Sequence, residues 1–174
     1  MAGAAAKGRR AHKSPEIELR RPASAEELAR TAEILREYAA SLAVDLCFQD
    51  FDAELALLPG EYAPPRGHLL HAYVDGALAG CGALRPFADA EDGNACEMKR
   101  LYVRPAFRGL GLGRMLANAL FDEARRAGYS TMLLDTLDDM EAARELYASL
   151  GFIEIGPYYY NPIPGAHYLK AELN

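Results

Sequence analysis

Apolar positions along this chain switch between a spacing of two and a spacing of three to four, and the switches mark its elements. Alternation over residues 16–20 predicts a first strand. Ser24 then opens a helix, with Glu27 as its capping-box partner, and Leu28, Ala32, Leu35 and Ala39 share one helical stripe. A second short helix is expected over residues 49–57, stopped by Pro59-Gly60, and Pro64-Pro65-Arg66-Gly67 reads as a turn. Residues 69–74 and 78–84 are strand-like runs around Asp75-Gly76, a hairpin signal. A polar loop over 89–94 leads into a fourth strand, 96–103, that ends before Pro105. A helical pattern over 115–126 follows and is closed by Gly128. Residues 131–134 form a buried-looking strand. Asp138 is expected to cap a last helix, with Glu141 as its box partner and Gly151 as its stop. Residues 152–159 and 167–173 make a final pair of strands.

The order β-α-α-β-β-β-α-β-α-β-β predicts an α/β (α+β) fold: one mixed, mostly antiparallel central sheet flanked by helices. There is no internal repeat and no sign of a second domain. Residues 15–174 are expected to be that domain, and residues 1–14 a flexible basic tail carrying Lys7, Arg9, Arg10 and Lys13 without an acid.

Charge and composition narrow the function. The chain has 19 basic and 25 acidic residues; setting the four tail cations aside leaves 15 basic, a body charge of about -10. An acidic body argues against nucleic acid as the principal partner and favours a cationic substrate such as an amine. No apolar run approaches the roughly 18–20 residues of a membrane span, and the tail lacks the apolar core of a signal peptide. Cys47, Cys81 and Cys96 are odd in number and not spaced as metal ligands, which fits a cytoplasmic protein with small buried thiols. His68 and His71 should face opposite sides of their strand, so neither a zinc site nor a histidine triad is supported.

The most informative stretch is Arg108-Gly109-Leu110-Gly111-Leu112-Gly113-Arg114, at a strand-to-helix turn. Alternate glycines leave backbone N–H groups uncovered, the helix adds its positive end, and two arginines flank the turn; together these make a cradle for a phosphate or pyrophosphate. The dinucleotide fingerprint G-x-G-x-x-G fails here: counted from Gly109 its last position is Arg114, and counted from Gly111 it is Leu116. The Gly-Lys-Ser/Thr ending of a nucleotide-hydrolase loop is absent as well.

The remaining pattern, Arg108-x-x-Gly111-x-Gly113, resembles the hallmark of the GCN5-related N-acetyltransferase (GNAT) superfamily. Glu97-Met98-Lys99-Arg100-Leu101-Tyr102-Val103-Arg104-Pro105 and Ala143-Arg144-Glu145-Leu146-Tyr147-Ala148-Ser149-Leu150-Gly151-Phe152 are similar to its neighbouring segments. The stretches from Asp45 to Leu55, Leu58 to Gly60 and Tyr158 to Pro162 resemble an uncharacterised bacterial branch.

The resemblance implies acetyl-coenzyme A as donor. It would be held by the backbone at Leu101, Tyr102 and Val103 and at Arg108, Gly109, Leu110, Gly111, Leu112, Gly113 and Arg114. It also implies that the fourth and fifth strands splay apart, and that a backbone N–H near 101–103 serves as oxyanion donor. Acetyl would pass directly to a primary amine of a small molecule or peptide in a ternary complex. Tyr147 would protonate the departing thiolate and Glu97 would be the general base, directly or through water. Phe48, Phe51, Tyr159 and Asn161 are expected at the acceptor, and Asp45, Asp50, Asp52 and Glu54 as attractors of a cation. If residues 152–159 are one strand, alternation keeps Tyr158, Tyr159 and Tyr160 from facing one site together. The competing class is a non-catalytic acyl-coenzyme A sensor. The aromatic final strands would suit a homodimer interface and equally burial within one subunit.

Overall fold

The computed structural model describes residues 13–46, 50–88 and 93–174. The expected tail lies almost wholly outside these residues, as do Cys47, Phe48, Gln49 and most of the 89–94 loop. Strand β1 (Ile17–Arg20) leads to helix α1 (Ala25–Ser41), helix α2 (Phe51–Leu57) and strands β2 (His68–Val74), β3 (Ala77–Phe87) and β4 (Ala95–Val103). Helix α3 (Leu112–Arg126), strand β5 (Thr131–Leu137), helix α4 (Glu141–Ser149) and strands β6 (Ile153–Ile155) and β7 (Ala166–Glu172) complete the order predicted from the sequence.

One sheet of order β1-β2-β3-β4-β5-β7-β6 carries all seven strands, and only the β4–β5 pair is parallel. The β2–β3 turn has both Asp75 (φ 48°) and Gly76 (φ 80°) in the left-handed region, as a two-residue hairpin of this twist requires. One sheet face packs α3 through Leu116, Leu120 and Phe121 onto Leu70, Leu84 and Met98. Glycine lets that helix sit close: a Cβ at Gly82 would lie 3.0 Å from a Leu120 methyl, and one at Gly80 would lie 3.4 Å from a Leu116 methyl. The other face receives α1 through Ile34 and Leu35, together with Phe51 of α2.

The α1 capping box forms as predicted: the Glu27 N–H donates to Ser24 Oγ at 3.1 Å, and the Ser24 N–H donates to Glu27 Oε2 at 3.3 Å. The buried stripe of α1 is rotated from the predicted one. Thr31, Ile34 and Leu35 are buried, whereas Leu28, Ala32 and Ala39 are half-buried. The cause is polar, because Thr31 Oγ1 meets His71 Nε2 at 2.7 Å across the interface. His68 lies instead beside Arg21 and Glu123, on the α3 side, so the two histidines do face apart.

Two local expectations are corrected. Asp138 does not cap α4, whose N-cap is Met140 without a side-chain bond; the Asp138 carboxylate is taken by His167 of β7. Strand β6 spans three residues rather than eight. Gly156-Pro157 ends it, since proline brings no N–H to a ladder. Residues 156–165 then form a strap instead of a strand.

Candidate active site

Beside β4 the sheet opens. β4 and β5 pair at Ala95–Thr131, Cys96–Met132 and Glu97–Leu133 and at no later pair, although β4 continues to Val103 and β5 to Leu137. Within the diverging part β4 carries a bulge: Cys81 pairs with Tyr102 but Ala83 with Lys99, and Arg100 has φ 59°. The extra residue puts Lys99 and Arg100 on one side in succession. Lys99 stands near Glu97, and Arg100 reaches Glu54 of α2. Cys96 is buried in the opposite, α3-side core, as its alternation with Glu97 requires.

Two cavities meet at this gap. The outer is a cleft of about 380 Å³ beside the glycine turn, lined by Leu101, Tyr102, Val103, Arg108, Gly113 and Tyr147 among others. The inner is a chamber between the splayed strands, with Tyr38, Lys99, Arg100, Asp135, Tyr147 and Asn161 in its wall. Tyr38 and Tyr147 line both, so they stand at the junction. Burial raises the Tyr38 hydroxyl to about 12 and pushes Tyr147 higher still, so both stay protonated over the neutral range.

The glycine turn has the backbone needed for an anion. Gly109 (φ 87°) and Gly111 (φ 78°) occupy the left-handed region with open space where a Cβ would stand. Gly111 is the N-cap of α3 and supplies no side-chain cap, which leaves the first amides of the helix for another acceptor. Leu112 turns into the core while Leu110 is exposed. Arg108 Nε donates to the Val103 carbonyl at 3.1 Å, and Arg114 donates to Ser149 Oγ at 2.8 Å. Neither acceptor is charged, so both guanidinium charges remain at the turn.

The chamber is backed by a buried charge network. Glu97, 1% exposed, accepts from Arg85 Nε at 3.1 Å and from the Tyr158 hydroxyl at 2.8 Å, on different oxygens. Lys99 Nζ lies 3.6 Å from Glu97 and 3.8 Å from Asp135. Asp135 accepts from the Tyr159 hydroxyl at 2.7 Å and from Asn161 Nδ2 at 3.4 Å. Behind Arg100, Glu54 accepts from its Nε and Nη2 and from the Tyr62 hydroxyl. Burial opposes the charge of Glu54, yet the hydrogen bonds from Arg100 hold its carboxyl below the ordinary value. Burial lowers Lys99, with Glu97 and Asp135 acting the other way.

Several predicted residues therefore converge and others do not. Tyr147, Leu101, Tyr102, Val103, Arg108, Gly113 and Asn161 line the cavities. Glu97 lies behind the chamber wall rather than in it, with both oxygens engaged. Phe51 is a core residue under the Arg100 guanidinium, 5.2 Å from ring centre to Cζ. Phe48 is outside the described residues. Glu54 is committed to Arg100, while Asp50 and Asp52 are exposed on the surface. Because residues 156–165 are a strap, the neighbours Tyr158 and Tyr159 both reach inward, and Tyr160 is 85% exposed. Tyr158 packs on Phe87 and Tyr168 within the subunit; Tyr168 is buried and the other two are half-buried.

Lys99, Arg100, Asp135 and Tyr38 were missed as site residues. A signal existed for two of them: Glu97 and Lys99 are two apart in a strand, and Asp135 is a charge inside an apolar run. Burial raises the Cys81 and Cys96 thiols to about 12, which leaves neither a thiolate at neutral pH. Among the described residues no group of His, Cys, Asp or Glu is arranged to hold a metal ion, and no helix is long and apolar enough to cross a membrane.

Comparison with known proteins places this geometry. The model of the acetyltransferase (GNAT) family matches residues 28–152. An uncharacterised N-acetyltransferase of Schizosaccharomyces pombe is 44% identical over 81% of this chain and 85% of its own. The IAA acetyltransferase of Azospirillum brasilense is 38% identical over 64% of this chain and 71% of its own. Among solved structures, an acetyltransferase from Salmonella typhimurium with its cofactor acetyl-CoA superimposes with a TM-score of 0.70, covering 91% of this chain and 94% of that one at 23% identity.

Proposed function

This chain belongs to the acetyltransferase (GNAT) family, and we propose that it moves acetyl from acetyl-coenzyme A to a primary amine by direct attack in a ternary complex. The observation that carries this is the break in the sheet. Pairing of β4 with β5 stops at Glu97–Leu133, and the gap joins the cleft at the glycine turn to a polar chamber with Tyr147 at the junction.

The donor fits what the residues offer. The amides of Gly109, Leu110, Gly111, Leu112, Gly113 and Arg114, with the Arg108 and Arg114 charges, suit a pyrophosphate, and the apolar cleft floor suits a pantetheine arm. When bound, acetyl-coenzyme A supplies a thioester carbon on which the amine forms a C–N bond as the C–S bond breaks, giving an acetamide and the free thiol. A backbone N–H in the stretch 101–103, where β4 has left β5, provides the oxyanion donor. Tyr147, kept protonated by burial, hands its hydroxyl proton to the departing sulfur. The amine proton replaces it in the net balance.

Glu97 acts as proton acceptor only through the groups around it, Lys99 and the Tyr158 hydroxyl, while Asp135 stands in the chamber wall itself. The proton acceptor is therefore assigned to the two carboxylates, Asp135 in the wall and Glu97 behind it, with the Lys99 ammonium between them.

Calorimetric titration with acetyl-coenzyme A, followed by thiol release against an amine panel, tests the proposal. Saturable binding with amine-dependent release is expected. Tyr147→Phe should lower kcat by about 10²-fold with donor affinity little changed. Binding without release for any amine would mark the chain as an acyl-coenzyme A sensor. Absence of binding would end the proposal.

A further inference from the structure

The chamber holds more charge than an oxyanion site needs. Its charged wall residues are Lys99, Arg100 and Asp135: two cations and one carboxylate. Arg100 turns its fork away, toward Glu54 behind the wall. The opposed pair left at the chamber is Lys99 and Asp135. Their separation of 3.8 Å is wider than the 2.7–2.9 Å typical of a charge-assisted hydrogen bond. Asp135 is held from the strap side by Tyr159 and Asn161, which fixes its orientation.

A bare ammonium entering this space meets the Lys99 ammonium, itself 3.6 Å from Glu97 behind the wall, and a bare carboxylate meets Asp135. In a poorly solvated site an unmatched charge is costly, and a charge met by an adjacent opposite one costs less. A zwitterion satisfies both partners: its ammonium faces Asp135, its carboxylate faces Lys99, and it adds no net charge. Beside Tyr38, Thr136, Tyr147 and Asn161, the wall carries aliphatic side chains that include Leu42, Val44 and Ile163.

Building on the acetyl-transfer function proposed above, we infer that the acceptor is a free α-amino acid with an aliphatic side chain, its carboxylate recognised by Lys99 and its amine by Asp135. The chemistry also favours turnover. Attack on the thioester carbon converts the ammonium, after loss of its proton, into a neutral amide. The product then keeps only its carboxylate, which Asp135 repels.

The test uses the full chain with saturating acetyl-coenzyme A and measures thiol release with alanine, valine, leucine and methionine. Each is compared with its own amide and with the amine lacking the carboxylate. At least one amino acid should exceed both analogues in kcat/KM by about tenfold or more, mainly through KM. The amide has the less basic nitrogen and so more free amine at neutral pH, which biases the comparison against the expected result. Lys99→Met should bring the ratio of amino acid to amide toward one, and Lys99→Arg should preserve it. The ratio in the unaltered protein stands even if Lys99→Met fails to fold.

Thiol release with amides or plain amines equal to or better than the amino acids overturns the inference and leaves the transferase standing. Release only with some other amine does the same. If acetyl-coenzyme A does not bind, the transferase function fails first.

Discussion

The two faces of this sheet are built by opposite rules. The α3 face is mainly apolar, with Leu116, Leu120, Met132 and Leu134 almost fully excluded from water. The α1–α2 face buries Glu54, Glu97, Lys99, Arg100 and Asp135 within the same thickness of protein. Among the described residues no buried side-chain nitrogen or oxygen lacks a partner, so the second face is costly in desolvation but satisfied. The difference teaches where stability and chemistry are separated. One side anchors the sheet and seats the glycine turn, and the other spends its burial on orienting charge around a cavity.

Breaking a pair on the charged face should have the largest effect. Glu54→Ala strands the Arg100 guanidinium, 4% exposed in its side chain, without its carboxylate. A stability loss of about 3–5 kcal/mol by denaturant titration is expected, with loss of acetyl transfer beyond the fraction unfolded. If activity per folded molecule is unchanged, the charge network does not shape the chamber.

The aliphatic face should respond differently. Leu120→Ala leaves a hole under α3 and should cost about 2–5 kcal/mol, with kcat per folded molecule little altered. A matching fall in kcat would mean that the faces are coupled.

The smallest expected effect is the response to pH. His71 is completely buried, and burial lowers it to about 4 from the usual value near 6.5. In the folded chain it stays neutral while the unfolded chain takes up a proton. Stability should therefore fall as pH drops from 6.5 toward 4, by up to about 3 kcal/mol, and level off below that. His71→Gln should flatten this interval in thermal melts recorded across pH. His167 works in the opposite sense: the hydrogen bonds it donates to Asp138 and Glu154 raise it, so its contribution is lost as pH rises through its folded value.

The sequence by itself determined the element order, the α1 capping box, the β2–β3 hairpin and the glycine turn before α3. Each of these is written in neighbouring residues: a periodicity, a cap three positions away, two glycines that must take positive φ. The family followed from the same local stretches. The chamber was legible only in fragments. Glu97 could be marked on β4, yet that Arg85 and Tyr158 close around it depends on β3 and on a strap sixty residues away. The strap itself was misjudged as a strand, because Tyr158, Tyr159 and Tyr160 suit a ladder by propensity, and long-range partners for their hydroxyls outweighed it. Asp138 likewise left its expected cap for His167. Only the tertiary structure decided which charges meet, since a buried charge goes where its counter-charge is, and sequence spacing does not encode that distance.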